Sequence, residues 1–184
     1  MTVRMEAVAQ PVIEAALAET KAWLRIEMTQ DDEAIAALCR SAIGMAEDFC
    51  AQRLFARQGV EVMAASREWR RLRACPVRGI AAVRALAVDG TATALPADGY
   101  ALDIDGNGDG WVRVMQGATA AGRVEVSLTA GIAGDWAGDW DALPDPLRQG
   151  VVRLAAHLFG QSASDAPPAI VTALWRPWRR MRLA

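Results

Sequence analysis

The chain has 184 residues and a mass of 19.7 kDa, which is the size of one domain, or of one domain with short arms. It carries 20 basic against 22 acidic residues, and its one histidine leaves little material for acid–base or nucleophilic catalysis. Residues 1–10 lack the apolar core of a signal peptide and no stretch is apolar for long enough to cross a bilayer, so we expect a cytoplasmic protein without membrane contact.

Neither the cysteines nor the histidine form a recognisable site. Cys39 and Cys50 fall within one helical pattern and Cys75 precedes a proline, with no Cys-x-x-Cys pair and no Cys/His cluster. We therefore expect buried, reduced thiols. His157 lies on the flank of an apolar helical stripe, which favours a structural role over a catalytic one. The sequence predicts a protein that is not an enzyme and that needs no cofactor.

Two helices open the predicted fold. The first covers residues 12–24, where apolar residues recur at helical spacing behind Pro11. The second covers residues 30–54, with Thr29 as its N-cap and one continuous apolar face.

The middle of the chain changes to the two-residue period of β-strands. Between residues 57 and 130, short alternating runs are separated by turn residues, and Asp89-Gly90 is a strong hairpin signal. We expect five to six short antiparallel strands here.

Helical periodicity returns at residues 145–160, where Asp145 and Pro146 form a start signal. Residues 162–184 are expected to form a linker and a C-terminal arm, in which 170–175 can form one or two helical turns. The predicted class is α+β, with residues 1–161 as a single, mainly helical domain that carries a small antiparallel β element.

The segment DIDGNGDG, residues 103–110, resembles the opening of a calcium-binding loop. Asp103, Asp105 and Asn107 take ligand positions, with Asp109 beside them, but Val114 stands where a bidentate glutamate is needed. Gly, Asp and Asn also suit a tight strand connection. We expect a turn and no metal site, and keep these four residues as a weak candidate cation site.

Tryptophans in a Gly/Asp-rich loop and in an arginine-rich C-terminal tail are the strongest functional signal. Trp136 and Trp140 lie in a Gly/Asp-rich loop, where they either fold back on the domain or fill pockets on a neighbouring chain. The last nine residues hold four arginines next to tryptophans, a pattern that suits nucleic acid, a membrane surface or an acidic protein groove, or else marks a solvated end. We favour a protein partner, with these candidate contacts: Trp175, Arg176, Trp178, Arg179, Arg180, Arg182, Trp136 and Trp140.

Several segments together resemble one known family. They are KAWLRI at 21–26, DDEAIAALCRSAIGMAEDF at 31–49, CPVRGIAAVRAL at 75–86, VSLTAGI at 126–132, LPDPLRQGVVRLAAHLFGQ at 143–161 and WRPWRRMRL at 175–183. In these segments the chain resembles the head-tail connector (adaptor) proteins of long-tailed phages and of gene transfer agents.

The resemblance implies a structural protein that is made in the bacterial cytoplasm and built into the neck of a phage-like particle. Such a protein forms a ring of about twelve copies beneath the portal protein, extends the DNA channel and docks the stopper or tail-completion protein. DNA would pass without sequence-specific contact. The C-terminal arm would insert into the portal, with Trp175 and Trp178 as anchors and its arginines paired with carboxylates or carbonyls. The alternative is a small nucleic-acid-binding protein that uses this Arg/Trp-rich tail.

Overall fold

The computed structural model describes residues 2–115, 122–134, 139–160 and 166–181. The chain forms two compact units, where the sequence suggested one domain over residues 1–161 and an arm. The strand unit consists of Met1–Ala7 and Ala56–Gly131, and the helical unit consists of Val8–Phe55 and Ile132–Ala184. The α+β class predicted from the sequence is confirmed.

The helical unit contains four helices: α1 (Gln10–Leu24), α2 (Asp32–Cys50), α3 (Asp145–Gly160) and α4 (Ala169–Trp175). The predicted bounds of α1 and α3 agree to within two residues. Helix α2 is shorter than the predicted 30–54, because Asp31 takes the N-cap position and Ala51 turns into the left-handed region at φ 54°. The backbone N–H of Ala51 then closes the helix on carbonyls of its last turn.

The core of the helical unit joins all four helices through their apolar faces. Near the end of α2 a buried carboxylate belongs to this core: one oxygen of Glu47 accepts the backbone N–H of Leu54 at 2.9 Å, and the other pairs with Arg53 at 2.9 Å. Ion pairing and hydrogen bonding offset the cost of burying that charge. No helix in the described part of the chain combines the length and apolar character needed to cross a membrane.

The strand unit contains two antiparallel sheets. The five-stranded sheet has the order β1-β2-β8-β4-β5, and the three-stranded sheet has the order β3-β7-β6. The strands are β1 (Thr2–Met5), β2 (Arg57–Ala64), β3 (Arg70–Arg71), β4 (Val77–Leu86), β5 (Ala92–Ala94), β6 (Tyr100–Ile104), β7 (Gly110–Val114) and β8 (Arg123–Ala130).

Both sheets contribute to one apolar core, in which inward residues of β7 and β8 alternate with outward ones and are joined by Val77 and Val83 of β4. The predicted hairpin is confirmed between β4 and β5: Asp89 accepts the backbone N–H of Thr91 at 2.9 Å, and Gly90 adopts φ 90°. Strand β1 was not predicted. It pairs with β2 where Gly59 lets it approach, because a Cβ on Gly59 would lie 2.9 Å from the carbonyl oxygen of Arg4 and would collide with Met5.

The three cysteines are free and buried. Burial raises the pKa of Cys50 to about 11, and it also raises the pKa of Cys39, against smaller lowering effects from a hydrogen bond to Thr20 and from Arg40.

These raised pKa values predict how the stability of the helical unit depends on pH. Below about pH 9 the folded and unfolded chains both keep their thiols protonated, so the full stability is present. Between pH 9 and 11 the unfolded chain loses the Cys50 proton while the folded chain keeps it, so the free energy of unfolding should fall, by roughly 2 to 3 kcal/mol at most. Urea titrations from pH 7 to 11 measure this, and Cys50→Ala should flatten the profile. If stability fell equally steeply with pH in that variant, the loss would not come from the Cys50 thiol.

Candidate partner-binding surface

The C-terminal segment, which was expected to form a linker and an arm over residues 162–184, is folded against the helical unit in its described part, residues 166–181. Pro168, in an extended conformation, forms the N-cap of α4. A 3₁₀ turn at Arg176–Trp178, with Pro177 inside it, follows the helix directly. The segment packs on α3 and on the end of α2.

Trp175 is the residue that holds this segment in place. Its side chain is 3% exposed, its indole N–H donates to the carbonyl oxygen of Leu147 at 3.3 Å, and its ring lies 6.0 Å from that of Phe49. The indole lies directly against Gly150, so that a Cβ on this glycine would collide with the ring. Trp175 is therefore a core residue of its own chain. The expectation that its side chain anchors the chain in a partner does not agree with this burial.

Further contacts carry the chain past α4 along the end of α2. Gln52 donates its amide N–H to the carbonyl oxygen of Trp178 at 2.5 Å, and the backbone N–H of Arg180 donates to the carbonyl oxygen of Cys50 at 2.9 Å. The Arg179 guanidinium lies 5.6 Å from the centre of the Phe49 ring. Trp178 is half-buried against the apolar core, so only part of its ring is available to a partner.

The end of this segment presents arginines to solvent. Arg176 and Arg179 are exposed, Arg180 is half-buried, and Met181 beside them is 88% exposed. We call Arg176, Arg179 and Arg180 the C-terminal arginine surface. Neither Arg176 nor Arg179 has an ion pair with a carboxylate in the described residues.

An open cleft of about 470 Å³ runs along the outer side of α4, next to this surface. Small side chains make up most of its lining, and one arginine also belongs to it. The lining residues are Ala169, Thr172, Ala173, Arg176 and Pro177. Such a groove can accept an apolar side chain of a partner while the arginine pairs with a nearby carboxylate.

Trp140 is also a core residue. Its side chain is 4% exposed, its ring stacks 6.1 Å from that of Phe55, and its indole N–H donates to Glu19 at 2.7 Å. The sequence left two interpretations of this loop, and Trp140 follows the first: it folds back on its own chain. It is therefore no longer a candidate partner contact. Trp136 and Arg182 lie outside the described residues.

Arg148 fixes the chain that follows Trp140. Its guanidinium lies 2.7 Å from Asp141, 2.9 Å from Asp145 and 3.6 Å from Glu19, which is also the acceptor for Trp140. These contacts hold the loop before α3 against α1. Sequence reasoning missed the network, because Glu19, which joins it to α1, is more than a hundred residues away from the other members.

The acidic loop at residues 103–110 forms a turn. One oxygen of Asp105 accepts the backbone N–H groups of Asn107 and Asp109 at 2.9 and 3.0 Å, and the other accepts the indole N–H of Trp111 at 3.1 Å. Gly108 has φ 76°, and Asp109 pairs with Arg71 at 3.5 Å. The described residues include no group of three or more His, Cys, Asp or Glu placed to hold a metal ion.

The contact between Gly150 and Trp175 predicts opposite effects for two matched substitutions. Gly150→Ala should lower the free energy of unfolding by about 1 to 3 kcal/mol, because the new methyl group displaces the indole. Gly44→Ala, in α2, meets nothing within 4 Å and should raise it by about 0.5 to 1 kcal/mol through helix propensity alone. Urea unfolding of both variants tests this, and equal effects would contradict the packing of Trp175.

Comparison with known proteins gives matches among solved structures. No family model and no curated protein matches the chain. The neck of an empty gene transfer agent (GTA) particle, computed with C6 symmetry, contains a chain that is 30% identical with a TM-score of 0.77. Chains in the virion of the native GTA particle and in the native GTA neck, computed with C12 symmetry, are 28% and 29% identical, both with a TM-score of 0.75. Each comparison covers 100% of this chain and 98% of the other.

Proposed function

Because the chain belongs to the head-tail connector (adaptor) family of long-tailed phages and gene transfer agents, we propose that it forms a ring beneath the portal, extends the DNA channel and docks the stopper or tail. It is a structural protein of the particle neck and not an enzyme. The neighbours solved with C6 and C12 symmetry support a ring, and the C12 neck favours twelve copies.

The C-terminal arginine surface is the observation that supports docking on the portal. Arg176 and Arg179 are exposed and have no ion pair within the described part of the chain, so a partner's carboxylates or carbonyls can take their donors in bidentate fashion. The groove along α4 would receive an apolar side chain of the same partner. The partner-facing residues proposed now are Arg176, Arg179 and Arg180, with the exposed part of Trp178.

The proposal also accounts for where positive charge belongs in such a ring. Arginines that bind phosphates along the channel would hold the packaged DNA, whereas arginines used for docking leave it free to slide. We therefore place the C-terminal arginine surface at a protein interface and expect DNA to pass without sequence-specific contact.

Co-sedimentation with isolated portal rings tests the docking. Arg176→Glu with Arg179→Glu should weaken portal binding at least about tenfold, because like charges then meet across the interface. Arg25→Glu with Arg40→Glu is the matched control, since these arginines are exposed on the same unit and the charge change is equal. Unchanged co-sedimentation of the first variant would overturn the docking proposal. Deletion of residues 175–184 would test docking poorly, because it also removes Trp175, a core residue of the helical unit.

The same arginines would serve a nucleic-acid-binding protein, and one assay separates the two functions. Filter binding to generic duplex DNA at low salt should show weak retention that Arg176→Glu with Arg179→Glu leaves unchanged. Tight retention that falls steeply with salt and is lost in this variant would favour the nucleic-acid function.

A further inference from the structure

The three-stranded sheet of the strand unit has two free edges of opposite character. Strand β7 lies in the middle, and β3 and β6 flank it at about 10 Å from each other, which follows from the strand spacing of about 4.8 Å. Neither flanking strand pairs on its outer side within the described residues. The two edges therefore face in opposite directions.

The edge at β3 is basic and aromatic. The side chains of Arg67 and Arg70 are exposed and have no hydrogen bond or ion pair in the described residues, and Trp69 between them is 40% exposed. The guanidinium of Arg113 lies 4.8 Å from the centre of the Trp69 ring. Glu68 is exposed at the same edge, so the three arginines leave a net charge of plus two. We call these residues the basic edge.

The edge at β6 is acidic and aliphatic. Asp103 on the strand and Asp98 in the turn before it are exposed, and neither has a partner in the described residues. Leu102 and Ile104 on the same strand are 37% and 40% exposed. We call these residues the acidic edge. An exposed edge strand with large apolar side chains is a template for association.

We infer that the basic edge of one copy packs against the acidic edge of the next, and that this contact joins neighbouring copies in the ring. The two edges are complementary in charge, and each adds exposed apolar side chains that the contact would bury. Because the contact is between two different surfaces, it is heterologous and repeats head to tail, which is how closed rings are built. The inference rests on the proposed ring. The residues of this contact are different from those of the C-terminal arginine surface.

Charge exchange tests the contact with two variants. Arg67→Glu with Arg70→Glu gives a copy with two acidic edges, and Asp98→Arg with Asp103→Arg gives a copy with two basic edges. Each variant alone should associate at least about tenfold more weakly than the parent, because like charges meet. An equimolar mixture should recover rings in which the two variants alternate. The variant that combines all four substitutions should also assemble, since its two edges have exchanged charge and remain complementary.

Sedimentation of the free proteins, and negative-stain images of each protein on portal rings, provide the readout. Thermal melting should show that all variants are folded, since the four residues are exposed. The inference would be overturned if either charge-exchange variant, tested alone, associated as strongly as the parent. It would also be overturned if the equimolar mixture associated no more strongly than each variant alone. A parent that binds the portal only as separate copies would overturn it too. If the parent does not bind the portal at all, the docking proposal is refuted. The edge contact is then decided by comparing self-association of the free parent with that of the free variants.

Discussion

Replacement of Trp175 by Ala is expected to lower the free energy of unfolding of the helical unit by about 3 to 5 kcal/mol. The indole is 3% exposed, lies against Gly150 and donates to the carbonyl oxygen of Leu147, so its removal leaves a cavity and deletes that hydrogen bond. The segment from α4 to Met181 should lose its place along α2 at the same time. Urea unfolding followed by circular dichroism measures the first effect, and hydrogen exchange of the α4 amides measures the second.

Trp23→Ala is the matched control, because Trp23 is in the same unit but 51% exposed, and the Arg153 guanidinium lies 4.7 Å from its ring centre. It should cost less than about 1 kcal/mol. Equal costs for the two variants would mean that Trp175 is no part of the core, and its role as an anchor in a partner would again be open.

Replacement of Glu61 by Ala is expected to lower the free energy of unfolding of the strand unit by about 3 to 5 kcal/mol. The side chain is fully buried, and its oxygens accept the backbone N–H of Arg73 at 2.8 and 2.9 Å and that of Ala74 at 3.3 Å. Without the carboxylate these donors lose their acceptor, and the segment that leads from β3 to β4 loses its attachment to β2. Urea unfolding with hydrogen exchange of the β2 and β8 amides measures the loss.

Glu61→Gln separates the hydrogen bonds from the packing. The amide oxygen still accepts one N–H at nearly unchanged volume, so this variant should cost clearly less than Glu61→Ala. A loss in Glu61→Gln as large as in Glu61→Ala would show that the negative charge matters and not the filled space. No loss in either variant would contradict the attachment.

Local pattern predicted most of the elements. Helix α3 has an Asp-Pro start signal, the hairpin between β4 and β5 has Asp89-Gly90, and both lie where the sequence predicts them. The end of α2 was misjudged, because Ala51 is left-handed and alanine gives no signal for that conformation. Strand β1 was missed, because it depends on the space above Gly59, about 55 residues away in sequence.

The fate of the tryptophans could not be predicted in the same way. Trp140 and Trp175 stand beside polar residues in sequence, which suggests exposure, yet both are buried against residues far along the chain, Glu19 and Gly150. Periodicity describes one element at a time, whereas burial depends on which elements meet. The arginines next to Trp175 were predicted to contact a partner, and two of them, Arg176 and Arg179, are exposed in the structure.

The most direct test of the neck-connector function is imaging of the chain mixed with portal rings by electron microscopy. We predict a closed ring of about twelve copies, coaxial with the portal, whose central channel continues the portal channel. Portal particles without added density, or with copies bound singly and in no ring, would contradict the account.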